Sequence, residues 1–504
     1  MSEKNYMLAV DQSTSGTKAL LFDRAGALIA RKDLPHRQII NEIGWVEHDP
    51  MEIYHNTIQV LQDVVRESGV PKEEIAGLGI SNQRETAMVW SKETGLPVYN
   101  AVVWQCARGA ALCERLEQEG HAAAVKAATG LNLSPYFSAA KIAWVLQWLQ
   151  EQNQAGKTGT TNKVDGKTLC AGTMDSWLVY KLTGGERFQT DYSNASRTQL
   201  FNIHTLSWDE ELCRIFGVPK ESLAAVTDSN GDYGYTDLEG FFSEPIPIRG
   251  VFGDSHGALY GQGCHKVGMI KTTYGTGSSV MMNIGEKPIV SEHGAVTSLA
   301  YGLSGKVSYV LEGNINYTGA TIKWLAEDVG LIGSSKESEE WALKANPEDH
   351  TYLVPAFTGL GAPYFDSQAE GTICGMTRMT GKAELVRAAV DSIAYQITDI
   401  LKVMEEDSNI TVQELRVDGG PTGNQYLMQF QSDIAGIPVR VPQMEELSGI
   451  GAAYAAGIAL GLYEESVFDR PAKAYYKPKL SAKDVEKKRD GWKRAVAAAR
   501  GRMS

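Results

Sequence analysis

The sequence predicts an α/β protein built from two related halves. Strand-like apolar runs alternate with helix-like segments along the 504 residues, which is typical of this class. Two similar loops, at residues 11–18 and 272–279, each adjoin an apolar run and lie roughly 260 residues apart. Both combine hydroxyl side chains with glycine, which lets backbone N–H groups turn toward an anion. We therefore expect a duplicated scaffold that holds a polyphosphate between its halves.

In the first half, residues 6–30 predict a hairpin around the first loop. Asp49, Pro50 and Glu52 predict a helix start with a capping box. A buried strand is expected at 75–80, and the polar stretch 150–168 predicts an exposed loop.

The second half begins near residue 250, where a strand ends and Asp254 opens a helix. A strand pair at 270–284 then repeats the pattern of residues 6–22. The remaining predictions are helices at about 384–405, 450–459 and 487–502, the last as a solvated surface helix, and a strand with a turn at 415–420. We place the domains at 1–258 and 259–504.

Composition excludes several classes of protein. A formal net charge of −13 argues against nucleic-acid and anionic-membrane partners. The six cysteines form no C-x-x-C pair, which favours free thiols in a reducing compartment. No signal peptide is recognisable at the N-terminus, and the most membrane-like stretch, 449–462, is too short to span a bilayer. We expect a cytoplasmic protein.

The common nucleotide-binding signatures are not satisfied. Gly156, Lys157 and Thr158 resemble part of a P-loop, but Glu151 stands where that motif needs glycine. No Gly-x-Gly segment has the third glycine of the dinucleotide fingerprint, which disfavours a nicotinamide dehydrogenase.

Several residues at predicted strand ends have two interpretations each. Asp11 can hold Mg²⁺ through water, or its loop is an ordinary hairpin turn. Asp254 can accept a proton from a hydroxyl group, or it caps a helix. Arg84 and Glu85 can bind the hydroxyls of a substrate, or they form a surface ion pair.

Longer motifs favour the functional interpretation of these residues. The chain resembles the FGGY carbohydrate kinases from residue 6 to about 465, and its motifs are most similar to those of the glycerol kinases in that family. The segments that carry the resemblance are 11–14, 44–50, 82–86, 191–198, 274–277, 355–364 and 416–420. The resemblance implies two ribonuclease H-like domains of the actin and hexokinase superfamily, with ATP in the cleft between them. It also implies Mg²⁺ and a small polyol or sugar whose hydroxyl receives the γ-phosphate.

The resemblance also assigns roles to residues. It makes Asp254 the catalytic base, while the place of Asp11 at a strand end makes that carboxylate the expected metal-binding residue. The acceptor-binding positions are Arg84, Glu85, Trp104, Tyr136, Asp254 and Ser255. The nucleotide-binding positions are Thr14, Ser15, Gly16, Lys18, Thr276, Gly319, Lys323, Gly420 and Asn424.

Some positions depart from the glycerol kinase pattern. Lys18 stands where arginine is usual, and Lys323 where glutamine is usual. Ser255 replaces a longer amide and Ser279 an aromatic residue, so glycerol and a C4–C5 acceptor such as erythritol or xylulose are both open. His256 is either a substrate contact or a helix-face histidine. An actin-like ATPase without an acceptor is the alternative of another class, and we expect a homodimer or homotetramer.

Overall fold

Two large sheets organise the chain, as a computed structural model of residues 3–154 and 166–501 describes it. The strands are β1 (Tyr6–Gln12), β2 (Gly16–Phe22), β3 (Leu28–Pro35), β4 (Ile39–Ile40), β5 (Val46–His48), β6 (Ile75–Asn82), β7 (Ala87–Ser91), β8 (Ala101–Val102), β9 (Leu169–Thr173), β10 (Gln189–Asp191), β11 (Phe201–Asn202), β12 (Ser207–Trp208), β13 (Ala225–Thr227), β14 (Tyr235–Thr236), β15 (Ile246–Gly253), β16 (Ile270–Tyr274), β17 (Ser278–Gly285), β18 (Val296–Leu303), β19 (Lys306–Ile315), β20 (Tyr352–Val354), β21 (Thr372–Cys374), β22 (Leu415–Asp418), β23 (Val439–Pro442) and β24 (Ala472–Tyr476). The α-helices are α1 (Pro50–Ser68), α2 (Ala110–Gln118), α3 (Ala122–Thr129), α4 (Ser138–Gln154), α5 (Met174–Leu182), α6 (Tyr192–Ala195), α7 (Glu210–Phe216), α8 (Asp254–Gly261), α9 (Gly319–Glu327), α10 (Ser338–Lys344), α11 (Lys382–Ser408), α12 (Gln425–Ala435), α13 (Leu447–Ala459) and α14 (Ala482–Ala499).

The two large sheets share one local topology. The first has the order β14-β15-β6-β1-β2-β3, and the second has the order β18-β19-β17-β16-β22-β23-β24. In the first, β1 pairs antiparallel with β2 and parallel with β6. In the second, β16 pairs antiparallel with β17 and parallel with β22. The two hydroxyl-glycine loops are therefore equivalent hairpin turns, and the predicted α/β scaffold with two related halves is confirmed.

The start of α1 shows how local sequence sets an element. Asp49 accepts hydrogen bonds from the N–H groups of Met51 and Glu52, at 2.8 and 3.4 Å, and Pro50 occupies the first helical position. The Glu52 carboxylate instead accepts from the N–H of Arg37 at 3.1 Å. The predicted cap is therefore confirmed, and the predicted capping box is wrong.

Two other sequence predictions need correction. Helix α4 continues to Gln154, so the start of the predicted loop 150–168 is helical. Residues 155–165 of that loop, with Gly156, Lys157 and Thr158, lie outside the described residues. Helix α14 is not fully solvated, because one of its faces is buried: Trp492 stacks on Tyr395 of α11, and its indole N–H donates to Asp399 at 2.6 Å.

The two halves exchange segments with each other. Helix α13, late in the chain, packs on the first sheet, where Ile450 and Ala453 share a core with Met7 and Leu20. Conversely, residues 195–203 contribute to the core of the second sheet. The predicted boundary between 258 and 259 stays a prediction.

A close helix crossing accompanies this exchange. A Cβ atom added to Gly451 of α13 would lie 2.0 Å from the carbonyl oxygen of Gly257 in α8, so glycine is needed for the two helices to cross this closely.

Among the described residues, no helix combines the length and the apolar character required to cross a bilayer.

Candidate active site

A cavity of about 580 Å³ opens between the two sheets where their hairpin turns face each other. It is lined by side chains from both halves of the chain. The structure brings eight of the predicted site residues to its wall, together with Ser279: Thr14, Arg84, Glu85, Trp104, Tyr136, Asp254, Ser255 and Thr276. The residues predicted to bind the acceptor thus share one cavity with one threonine from each hydroxyl-glycine loop.

Asp254 presents a carboxylate to this cavity. It is the first residue of α8, and its side chain remains 37 % exposed. Its Oδ1 accepts from the N–H of Ser255 at 2.6 Å and lies 3.4 Å from Nε of Arg84. Because Gly253 occupies the N-cap position, Asp254 is not the cap itself and keeps an oxygen available to a ligand.

A buried charge cluster forms the floor of the cavity. Arg84 donates two hydrogen bonds to Glu312, at 2.8 and 2.9 Å. Arg197 donates from Nε to Glu85 at 2.6 Å, and its Nη1 lies 3.0 Å from Glu312. Burial alone would raise the pKa of Glu312, but Arg197 and Arg84 hold it well below its usual range. The guanidinium of Arg84 is therefore fixed in place between Glu312 and Asp254.

Glu85 adopts a strained backbone at the same place. Its φ of 59° lies in the left-handed region, which a non-glycine residue adopts at a cost. Its side chain forms a buried ion pair with Arg197. Such strain clusters at ligand sites, which favours the pocket interpretation of Arg84 and Glu85 over a surface ion pair.

Arg197 belongs to one of the motifs that carry the resemblance, but none of those motifs contains Glu312. The available signal was a glutamate directly after the apolar run 309–311, at a position where a strand interior is normally apolar.

Two aromatic residues form a wall of the cavity that Asp254 also lines. Trp104 and Tyr136 meet edge to face at 5.6 Å between ring centroids, and the Trp104 indole N–H donates to the Thr14 hydroxyl at 2.9 Å. Behind Tyr136, the buried Lys141 ammonium donates to the carbonyls of Pro135 and Phe137 at 2.8 and 3.0 Å. The hydrogen bond between Trp104 and Thr14 thus ties the aromatic wall to the first hydroxyl-glycine loop.

The second hydroxyl-glycine loop is braced by α9. The N–H of Gly319 donates to the carbonyl of Gly275 at 2.9 Å, and a Cβ at Gly319 would lie 2.7 Å from that oxygen. The Thr276 hydroxyl has no hydrogen-bond partner among the described residues and lines the cavity. The loop backbone is therefore tied to α9, and the Thr276 hydroxyl at the tip of the loop stays available to a ligand.

Asp11 lies buried at the end of β1. Its Oδ1 accepts from the Ser81 hydroxyl at 2.8 Å. Burial raises its pKa to about 6, against the opposing charge of Lys18. No group of three or more potential metal ligands occurs in the part of the chain that the structure describes. A single carboxylate still fits Mg²⁺, which is commonly held by one or two carboxylates together with substrate phosphates.

Other predicted nucleotide residues lie outside the cavity wall. Lys18 is paired with Glu446 at 2.9 Å, and Gly16 lies within the first hairpin, where a Cβ would approach the Leu34 carbonyl to 2.7 Å. Ser15 is exposed, and Lys323 lies 3.5 Å from Glu327 on the surface of α9. The assignment of these residues to nucleotide binding stays a prediction.

Gly420 and Asn424 lie on the loop after β22. Because β22 runs parallel to β16, with Asp418 opposite Thr273, this loop emerges at the same sheet edge as the second hydroxyl-glycine loop. Asn424 caps α12 by accepting from the N–H of Leu427 at 2.9 Å, and open space surrounds Gly420.

His256 is buried beneath the charge cluster. Its Nε2 lies 3.3 Å from the Ser298 hydroxyl. Burial and the nearby Arg84 lower its pKa well below its usual value. It does not line the cavity, which favours the helix-face interpretation over a substrate contact.

Known proteins resemble this chain over nearly its whole length. Its residues 6–261 match the N-terminal domain, and residues 270–460 the C-terminal domain, of the FGGY family of carbohydrate kinases. It is 45% identical to a glycerol kinase of Thermoanaerobacter sp. (strain X514), with 98% of each chain covered, and 48% identical to glycerol kinase 1 of Thermotoga maritima, with 97% of this chain and 99% of the relative covered. The crystal structure of Plasmodium falciparum glycerol kinase with ADP superposes with a TM-score of 0.91 at 33% identity, covering 99% of both chains. The chain therefore belongs to the FGGY family of carbohydrate kinases.

Proposed function

We propose that this protein transfers the γ-phosphoryl group of ATP to a hydroxyl of glycerol or a close polyol or sugar analogue. The observation that carries the proposal is the Asp254 carboxylate, which faces a cavity shared by both hydroxyl-glycine loops and is flanked by the buried Arg84. The relatives named glycerol kinase support the same reaction class.

The transfer needs one proton acceptor. The acceptor hydroxyl oxygen attacks the γ-phosphorus, the bond from that phosphorus to the β,γ-bridging oxygen breaks, and ADP leaves. The hydroxyl proton passes to the Asp254 carboxylate, which lies at the helix start with one oxygen free.

The acceptor would be held by the groups opposite and beneath Asp254. Arg84 can donate to a substrate hydroxyl and Glu85 can accept from one, while Trp104 and Tyr136 cover its apolar face. Since Arg84 is held rigidly by Glu312, little conformational freedom would be lost on binding.

The nucleotide phosphates would lie between the Thr14 and Thr276 loops. Asp11 would hold Mg²⁺ together with those phosphates, and the ion would supply positive charge that offsets the charge of the transferred group. Ser15, Gly16, Lys18, Gly319, Lys323, Gly420 and Asn424 are proposed to complete the nucleotide site.

The test is ATP turnover by the purified protein with Mg²⁺, with and without glycerol, erythritol, xylitol and ketopentoses. We expect ADP formation to require an acceptor and mass spectrometry to identify the phosphorylated acceptor. An actin-like ATPase would instead hydrolyse ATP at a rate that no polyol changes.

Thr276→Val tests the second loop. The substitution removes the free hydroxyl but keeps the branched shape, so we expect KM for ATP to rise by roughly tenfold, the worth of one hydrogen bond to a charged group. KM for the acceptor should change much less. Steady-state kinetics with each substrate varied measures both constants, with Thr205→Val on an exposed turn as the matched control. Equal changes in KM for ATP and in KM for the acceptor would indicate that the loop is only a structural turn.

A further inference from the structure

The part of the cavity wall that β17 and β19 form carries polar side chains. Ser279 of β17 lies directly opposite Asn314 of β19 in the sheet register. Side chains alternate along a strand, so Asn314 points to the same face as Glu312, about 7 Å further along β19. Ser279 and Asn314 both line the cavity. The polar wall therefore extends beyond the place where Glu312 holds Arg84.

The polar side chains on this wall have donors and acceptors that are weakly paired or unpaired. The Ser279 hydroxyl makes only a long contact of 3.4 Å to Glu312. The side-chain amide of Asn314 has no hydrogen-bond partner within residues 3–154 and 166–501, and neither has the Ser255 hydroxyl. Serine and asparagine can each donate and accept, which matches a hydroxyl or a carbonyl oxygen of a ligand.

The charge of the site selects for a neutral ligand. Arg84 and Arg197 form ion pairs with three carboxylates, those of Glu85, Glu312 and Asp254. The nearby buried Lys271 donates to the Thr273 hydroxyl, and its charge is offset chiefly by Asp418. An acceptor carrying a carboxylate or phosphate would meet no uncompensated positive charge here. Sugar acids and sugar phosphates are thereby disfavoured.

From these observations, and resting on the proposed function, we infer that Ser279 and Asn314 form a subsite for an oxygen beyond the third carbon of the acceptor. The preferred acceptor is then a neutral four- or five-carbon polyol or ketose. Its reactive end lies between Asp254, Arg84 and Glu85, and its far end meets the wall of β17 and β19. A three-carbon polyol leaves that wall to water and loses those contacts.

The first test compares kcat/KM for glycerol, erythritol, ribitol, xylitol, D-xylulose and D-ribulose on the full chain with ATP and Mg²⁺. A higher value for at least one longer acceptor than for glycerol supports the subsite. A value for glycerol that equals or exceeds all the others overturns it and leaves the proposed function intact. Phosphorylation of none of these compounds overturns both.

The second test uses variants of the wall. Asn314→Ala should lower the ratio of kcat/KM for the best longer acceptor to that for glycerol by at least tenfold, and Ser279→Phe should shift the ratio in the same direction by filling the space. Asn230→Ala, which removes the same amide from a half-buried loop outside the cavity, is the matched control. Circular dichroism checks the folding of each variant. An unchanged ratio in folded Asn314→Ala overturns the assignment.

Discussion

Asp254→Asn is expected to lower kcat by a factor of about 10²–10⁴, the usual contribution of a general base. The amide nearly preserves the shape of the side chain but cannot accept the proton of the attacking hydroxyl. It can still accept from the N–H of Ser255, so the start of α8 should remain intact. KM for ATP and for the acceptor should change little, because neither substrate is held by the proton-accepting oxygen alone.

Initial rates under saturating substrates measure this loss, and isothermal titration calorimetry measures acceptor binding separately. Asp490→Asn, at an exposed position on α14, is the matched control and should retain wild-type rates. If Asp254→Asn keeps more than half of the activity with every acceptor, another group takes the proton.

Glu312→Ala is expected to destabilise the fold by about 3–5 kcal/mol, because it leaves buried charge without its partner. Glu312 lies 0 % exposed between Arg84 and Arg197, and both guanidinium groups contact its carboxylate. Activity should fall as well, since Arg84 would lose the two hydrogen bonds that fix it beside Asp254.

Urea denaturation followed by circular dichroism measures the change in the free energy of unfolding. Glu211→Ala breaks an exposed ion pair with Arg214 and should cost less than about 1 kcal/mol, which makes it the matched control. Because the pKa of Glu312 lies well below its usual range in the folded state, its contribution is present above the ordinary glutamate pKa and is lost as the pH falls through the folded value. A wild-type midpoint for Glu312→Ala at neutral pH would show that the cluster does not stabilise the fold.

Local signals made much of the fold predictable. The Asp49 cap, the hairpin around residues 13–15 and the helix opened by Asp254 each depend on a few neighbouring residues, and the structure has all three. The buried face of α14 could not be predicted from its own sequence, which is basic and alanine-containing. The decisive contact of Trp492, with Asp399, comes from a distant part of the chain.

The site was predictable at the level of motifs but not of pairings. Asp254, Arg84, Trp104 and Tyr136, which the motifs singled out, line one cavity, and their roles stay a prediction. The contact between Arg84 and Glu312 spans 228 positions and depends on the register of β17 and β19, which no local pattern specifies. The pairing of Lys18 with Glu446 is likewise set by where α13 returns to the first sheet.

The exchange of segments between the halves has a consequence for how the protein acquires its structure. The first sheet needs α13 to cover Met7 and Leu20, and α13 lies far downstream of both residues in the chain. During synthesis, that face of the first half therefore stays uncovered until α13 has emerged from the ribosome. The two halves should consequently complete folding together, in a single cooperative transition, and neither should be stable when expressed alone.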